Sequence, residues 1–323
     1  MGLYIAIDGG SSRSAGLLAT EDRRVLHRAS AGCANYHVVG PEGAEKTLLT
    51  LIESLCAAGG VSPKEIEGFC FALSGVSRPA DFRSIEGILR RHLLHKKSKV
   101  ISDAEAALLG GTSREAGIVV ISGTGSVVFG KNRAGKTKKV SGHGHLIGDP
   151  GSGYDLGIRA LRAILASAEG RIGKTKLTSN VLGAISLRSE DDVVPWLYSQ
   201  PDLKKVVARL APTVIATAAQ EHDPIASEIL RSATEELAGL VAFTASCLDL
   251  TQEPFDVVLS GGVFLNNPAY FSLMQSSLSA KISVANPIRP ENDPAFGALV
   301  SLLGRPASSQ KEDDENPSPP GAR

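Results

Sequence analysis

Twice in this chain an apolar run of strand length ends in a turn of glycines and hydroxyls and is answered at once by a second apolar run. The first copy is Leu3-Tyr4-Ile5-Ala6-Ile7-Asp8-Gly9-Gly10-Ser11-Ser12-Arg13-Ser14, followed by Ala15-Gly16-Leu17-Leu18-Ala19. The second is Gly117-Ile118-Val119-Val120-Ile121-Ser122-Gly123-Thr124-Gly125-Ser126-Val127-Val128-Phe129-Gly130. Each reads as strand, tight turn, strand. Glycine lets the backbone come close to an anion and reach positive φ, and successive N–H groups in such a turn make an anion-binding concavity. A carboxylate at a strand end, Asp8 here, suits a hydrated Mg²⁺ beside phosphates. A surface hairpin would explain either copy alone. Two copies, each opening its own αβ segment, predict two related halves facing each other across a cleft, with one nucleotide gripped from both sides.

The 323 residues are enough for two domains of ordinary size. Thirty-four Lys and Arg balance thirty-four Asp and Glu, which argues against nucleic acid or an anionic membrane as the main partner, because both need a basic face. No apolar run nears the ~20 residues of a membrane span, and the N-terminus lacks a signal pattern. Four cysteines (Cys33, Cys56, Cys70, Cys247) show no metal-ligand spacing and read as small apolar residues in a reducing, cytoplasmic setting.

Between the hairpins, residues 24–29 read as a third strand, 42–58 as a helix, 68–73 as a buried strand and 81–95 as a basic helix. Lys99-Val100-Ile101-Ser102-Asp103 is a short strand with an acid at its carboxyl end, where ligands of α/β sheets gather; Asp103 would also serve as a helix N-cap. Residues 130–137 match the P-loop pattern G-x-x-x-x-G-K-[ST] letter for letter. That motif needs a helix directly after it, and the glycine-rich continuation offers none, so an exposed hairpin tip is expected. The dense glycines of residues 142–157 read as a functional loop. His143 and His145 have no third ligand near them and read as sugar or solvent contacts. Residues 154–250 read as mostly helical. Phe255-Asp256-Val257-Val258-Leu259-Ser260 then runs into the turn Gly261-Gly262, with a helix at 269–280, a strand at 281–285 and a helix at 294–303. The acidic, Pro/Ser-rich tail 305–323 is expected to be disordered.

With these residues in view, the chain resembles the actin/Hsp70/sugar-kinase superfamily over about residues 3–304, and within it the BadF/BadG-type group that includes N-acetylglucosamine kinases. Residues 8–14 resemble the first phosphate motif, 121–126 the second and 259–263 the adenosine motif. Residues 148–157 and 293–299 look like the two connecting helices of the hinge. The resemblance implies an α/β fold of two ribonuclease H-like (actin-like ATPase) domains with a central cleft. These would span 1–114 and 115–293, with a helical insertion at 154–250 and the helix 294–304 returning to the first.

It also implies an ATP- and Mg²⁺-dependent kinase for an amino sugar, most readily N-acetylglucosamine, acting as a homodimer. In that reading Asp103 is the general base and Asp8 holds Mg²⁺ through water. Gly9, Gly10, Ser11, Ser12, Gly123, Thr124, Gly125, Ser126, Gly261 and Gly262 hold the nucleotide. Asn35, Gly125, His145 and Asp149 join Asp103 in holding the sugar. Two departures, His143 for the Trp of eukaryotic members and Pro150 for the usual Glu, fall on the sugar side. The resemblance leaves glucosamine, N-acetylmannosamine and N-acetylmuramic acid open as acceptors. An ATPase activating a reductase or dehydratase would need cysteines near the hinge, and a repressor-type glucokinase a zinc-binding cysteine cluster; neither pattern is present. A sugar sensor that keeps the fold without catalysis would have no use for Asp8 and Asp103.

Overall fold

The computed structural model describes residues 2–305. Among them, ten strands form two five-stranded sheets of one design. In the first, β1 (Leu3–Gly9), β2 (Ser14–Thr20) and β3 (Val25–Ala31) make an antiparallel meander. β4 (Ile66–Leu73) and β5 (Ser98–Ser102) continue the sheet in parallel on the other side of β1. In the second, β6 (Gly117–Ser122), β7 (Ser126–Lys131) and β8 (Thr137–Ser141) repeat the meander. β9 (Phe255–Ser260) and β10 (Ala285–Ile288) repeat the parallel extension. The orders β3-β2-β1-β4-β5 and β8-β7-β6-β9-β10 correspond strand for strand. This is the α/β architecture of two related halves expected from the repeated hairpins. The central strands are continuous apolar runs because both faces of each sheet are covered by helices.

In the first half, α1 (Tyr36–Gly59) and α2 (Pro79–Arg91) enclose a core of Ile5, Leu51, Leu55, Phe69, Phe71 and Ile85. α3 (Asp103–Gly111) follows β5. The second half carries a long helical excursion: α4 (Gly153–Ala168), α5 (Leu177–Ala184), α6 (Val193–Tyr198), α7 (Leu203–Ala208), α8 (Ala211–Glu221) and α9 (Pro224–Cys247). After β9 come the single turn α10 (Gly262–Leu265), then α11 (Pro268–Lys281) and, after β10, α12 (Pro294–Leu303). No helix among the described residues is long and apolar enough to cross a membrane.

Two helices are exchanged between the halves. α12 follows the second sheet but packs on the first, where Ala295, Ala298 and Leu299 join Ala6, Leu17, Ala19, Cys70 and Ala72. α3 follows the first sheet and sets Ala104, Ala107 and Leu108 against Val119, Phe129 and Val258 of the second. The two helices pack on each other through Gly110 and Gly297, and a Cβ on Gly297 would stand 1.9 Å from the Ala106 carbonyl oxygen. Residues 148–157, expected to supply one connecting helix, do not. They form a loop and the start of α4, and Tyr154 and Leu156 pack inside the second half. Their glycine-rich pattern serves loop curvature and close packing, whereas the small residues of α3 serve the crossing.

Other differences are local. α1 begins at Tyr36, several residues before its apolar periodicity starts, because Asn35 caps a first turn and the helix is then kinked at Gly40 (φ +72°) before Pro41. The last strand lies at 285–288 rather than 281–285, since Lys281 ends α11 and Ile282 is buried as its cap. Pro287 is tolerated there because β10 is an edge strand. Residues 130–137 form the end of β7, a turn and the start of β8, with Gly135 at φ +81° and no helix following. Apart from Arg305, the tail expected to be disordered lies outside the described residues.

Candidate active site

On the first half, the turn after β1 packs against the end of β4: the Ser74 N–H donates to the Gly9 carbonyl at 2.8 Å. Gly9 and Gly10 are not at positive φ. They are needed for space, because a Cβ would meet Leu73 at 2.4 Å or the Arg13 carbonyl at 2.4 Å. The Asn35 side chain is buried, and each end of its amide makes a hydrogen bond. Its Oδ1 accepts from the His37 N–H (3.0 Å), capping α1, and its Nδ2 donates to Ser11 Oγ at 2.8 Å. Ser11 Oγ lies 3.0 Å from Ser74 Oγ. Ser11, expected on the phosphates, is therefore tied to the residue expected on the sugar, while Ser12 is exposed. Next to them, hydrogen bonds from the Tyr36 hydroxyl and the Ser77 and Arg78 N–H groups fix Asp81. Burial opposes its charge, yet those donors outweigh it and hold the carboxyl down to about 2.

Asp103 opens α3. Ser102, not Asp103, is the cap, its Oγ accepting from the Glu105 N–H at 3.1 Å. Asp103 Oδ1 accepts from the adjacent Ala104 N–H at 2.8 Å, which leaves Oδ2 unengaged by that bond. Asp8, at the end of β1, feels burial first and then the charges of Asp103 and Asp293, and is pushed up to about 7. Asp293 caps α12 through the Phe296 N–H and pairs with Arg28 of β3. The charges of two acids that stand where the exchanged helices begin thus act on Asp8.

The Asp8 shift has a signed consequence for the ligand-free protein. Its folded pKa exceeds the unfolded value, so the folded state holds the extra proton. The associated stability is complete below about pH 4 and is lost as pH rises through 7. Melting temperatures taken from pH 4 to 8 should show the gap between Asp8→Asn and the parent widening in favour of the variant as pH rises. A constant gap would contradict this.

On the second half, the turn after β6 is held from behind. The Gly153 N–H donates to the Gly123 carbonyl (2.8 Å), and Ser122 Oγ donates to the Gly151 carbonyl (2.7 Å). Ser126, expected on the phosphates, is buried and spends its hydroxyl on the Pro150 carbonyl (2.7 Å), so it supports the loop instead. Nothing stands near a Cβ built on Gly123. Gly261 takes φ +92°, and a Cβ there would lie 2.3 Å from the Ser122 carbonyl oxygen, so the adenosine-type turn presses directly on the end of β6. Gly123, Thr124, Gly262, Val263, Asn266 and Asn267 line a cavity of about 560 Å³ whose other wall is Lys205, Arg209 and Pro212.

Asp149 is buried at φ +61°, with Oδ1 accepting from the Gly144 N–H at 3.2 Å. Its Oδ2 would lie 2.5 Å from a Cβ on Gly125, and it stands 4.0 Å from Lys204 Nζ. His145 packs edge-on against Tyr154 at 4.7 Å, and burial together with the Lys204 charge lowers its pKa. His143 is exposed.

The fold therefore gathers Asp8, Gly9, Gly10, Ser11, Asn35 and Asp103 at the strand ends of one half. It gathers Gly123, Thr124, Gly125, Asp149, His145, Gly261 and Gly262 at those of the other. Sequence reasoning missed Ser74, which the strand-end rule would have reached. It also missed Lys204, Lys205, Arg209 and Asp293, for which no local pattern speaks.

Residues 5–301 match the family model of the BadF/BadG/BcrA/BcrD ATPases. The chain is 33% identical to the N-acetylmuramic acid/N-acetylglucosamine kinase of Clostridium acetobutylicum, over 93% of this chain and 98% of that one. It is 29% identical to the N-acetyl-D-glucosamine kinase of Dictyostelium discoideum, again over 93% and 98%. A crystal structure from Chromobacterium violaceum, provisionally named an N-acetylglucosamine kinase, matches with a TM-score of 0.75 at 25% identity, covering 94% of this chain and 99% of that one.

Proposed function

The chain belongs to the BadF/BadG/BcrA/BcrD ATPase family, and we propose that it transfers the γ-phosphoryl group of ATP to a hydroxyl of an amino sugar, N-acetylglucosamine first. The observation that carries this reading is the position of Asp103. It stands at the carboxyl end of β5, close enough to Asp8 for the two charges to interact, with one carboxylate oxygen left over from the Ala104 N–H. Such an oxygen suits a general base for the acceptor hydroxyl. The relatives named for N-acetylmuramic acid and N-acetylglucosamine support the sugar class.

In this reading the γ-phosphoryl group passes between the two glycine turns. Gly9, Gly10, Ser12, Gly123 and Thr124 line the phosphates, while Gly261 and Gly262 let the adenosine lie close to backbone. Lys205 and Arg209 close the nucleotide cavity. Asn35 and Asp149, each fixed by its own hydrogen bonds, orient the sugar with Gly125 and His145. Asp8 suits Mg²⁺: burial beside two further acids is the like-charge crowding that a divalent cation relieves. Bound there, Mg²⁺ would neutralise phosphate charge. A cytoplasmic homodimer belongs to the same proposal, by analogy with the family.

The test is ATP consumption by the purified protein with Mg²⁺ across free and N-acetylated amino sugars and glucose. N-acetylglucosamine should give the largest rise over the sugar-free rate. A rate indifferent to every sugar would sink the proposal. Asn35→Ala should raise the KM for the sugar about tenfold, the equivalent of about 1.4 kcal/mol, and leave the KM for ATP unchanged. Losing the cap should also cost about 1 kcal/mol of stability.

A further inference from the structure

We infer that Lys204 is a catalytic residue of this kinase, its ammonium facing the phosphoryl group as it passes from nucleotide to sugar. The inference rests on the kinase reading above.

α7 lies over the turn after β6 and presents cations on two faces. Lys205 and Arg209 are four residues apart, hence on one helical face, and both line the cavity with Gly123 and Thr124. Lys204 is one residue earlier, about 100° round the helix, and its Nζ lies at the other end of the same turn, 3.4 Å from a Cβ built on Gly125. It also stands 4.0 Å from Asp149 Oδ2. That distance is too long for a hydrogen bond, so Asp149 does not consume its donors. The Lys204 side chain is 37% exposed, open to an incoming group. Lys204 thus occupies the junction between the wall of the nucleotide cavity and the acid on the sugar side.

The chemistry calls for a cation there. Asp8, Asp103 and Asp149, the proposed catalytic and sugar-side acids, are carboxylates, whereas Asp293 already has Arg28 as its partner. An anionic phosphoryl group entering such a site needs compensating positive charge on the side away from Asp8. In the transfer, the bond from γ-phosphorus to the bridging oxygen breaks and its electron pair leaves with ADP. The sugar oxygen bonds to phosphorus, and the hydroxyl proton passes to Asp103. Lys204 keeps its protons throughout and stabilises charge on the equatorial oxygens. The depression of His145 by burial and then by Lys204 fits an ammonium directed into the site.

The experiment compares the full chain with Lys204→Met and Lys204→Arg, using ATP, Mg²⁺ and N-acetylglucosamine. Lys204→Met should lower kcat about 100-fold or more with both KM values little changed, and Lys204→Arg should recover part of the loss. ADP should bind the methionine variant as it binds the parent, while the ADP–fluoroaluminate–sugar complex should form only with the parent and the arginine variant. A raised KM for the sugar with kcat intact would overturn the inference, because Lys204 would then only orient Asp149. An arginine variant no better than methionine would also overturn it. If the parent hydrolyses ATP without response to any sugar, the kinase reading fails. Lys204 is then judged on that hydrolysis, and equal rates in parent and methionine variant overturn it. No turnover under any condition overturns both.

Discussion

Asp103→Asn is expected to lower kcat by about 10³-fold, the scale of removing a general base, while ATP binding is retained. The substitution preserves shape and the hydrogen bond that Asp103 Oδ1 accepts from the Ala104 N–H. The helix start does not depend on it, because Ser102 holds the cap. Removing one negative charge beside Asp8 should also lower the Asp8 pKa from its raised value near 7, since Asp103 is one cause of the shift. Two readouts therefore move together: single-turnover phosphoryl transfer collapses, and the pH dependence of stability attributed to Asp8 flattens. Near-normal turnover in the variant would remove Asp103 from the base role and leave the acceptor hydroxyl to another group. Loss of nucleotide binding instead would mean that the acid acts on the nucleotide side.

Gly297→Ala is expected to be the most damaging single methyl in the protein. The added carbon would stand 1.9 Å from the Ala106 carbonyl oxygen and 2.6 Å from the Gly110 nitrogen, both backbone atoms of α3. No flexible side chain can yield, so α12 and α3 must separate. Overpacking of a close contact costs 1–3 kcal/mol, and this one should reach about 3 kcal/mol. The damage should extend to activity, since α3 begins at Asp103 and α12 is capped by Asp293, so parting the helices displaces both acids from Asp8. Gly87→Ala is the control: nothing lies near its Cβ in α2, and alanine should stabilise that helix by about 0.5–1 kcal/mol. Thermal melts and kcat of the two variants decide it. A tolerated Gly297→Ala would mean that the two helices already have slack at their crossing.

Much of the candidate site is legible in the sequence because its parts are local. Asp8, Gly9 and Gly10, like Gly123 and Thr124, sit in short turns whose strand–glycine–strand pattern is written in consecutive residues. Asp103 was marked by the rule that ligands collect at the carboxyl ends of strands. The false P-loop at 130–137 was recognisable for the same reason, since the helix it requires would have had to follow directly in sequence. Roles assigned to single hydroxyls fared differently. Ser11 and Ser126 stand in phosphate-type turns, yet one is bonded to Asn35 and the other to the Pro150 carbonyl. A hydroxyl's partner depends on what packs beside it, which one strand cannot reveal.

By itself the amino-acid order determined that this chain makes two αβ halves, each opened by a hairpin with a glycine- and hydroxyl-rich turn, and that Asp103 follows directly on a strand end. Periodicity and turn chemistry are short-range properties. Only the tertiary structure decided that α3, rather than residues 148–157, is the partner of α12 in the exchange between the halves, that the Asp293 charge acts on Asp8, and that Lys204 reaches Gly125 and Asp149. These interactions join residues 55 to 285 positions apart, from the Lys204–Asp149 pair to the charge of Asp293 felt at Asp8. They are set by which faces of small residues pack closely enough to exclude water, a choice made only when both sheets are present.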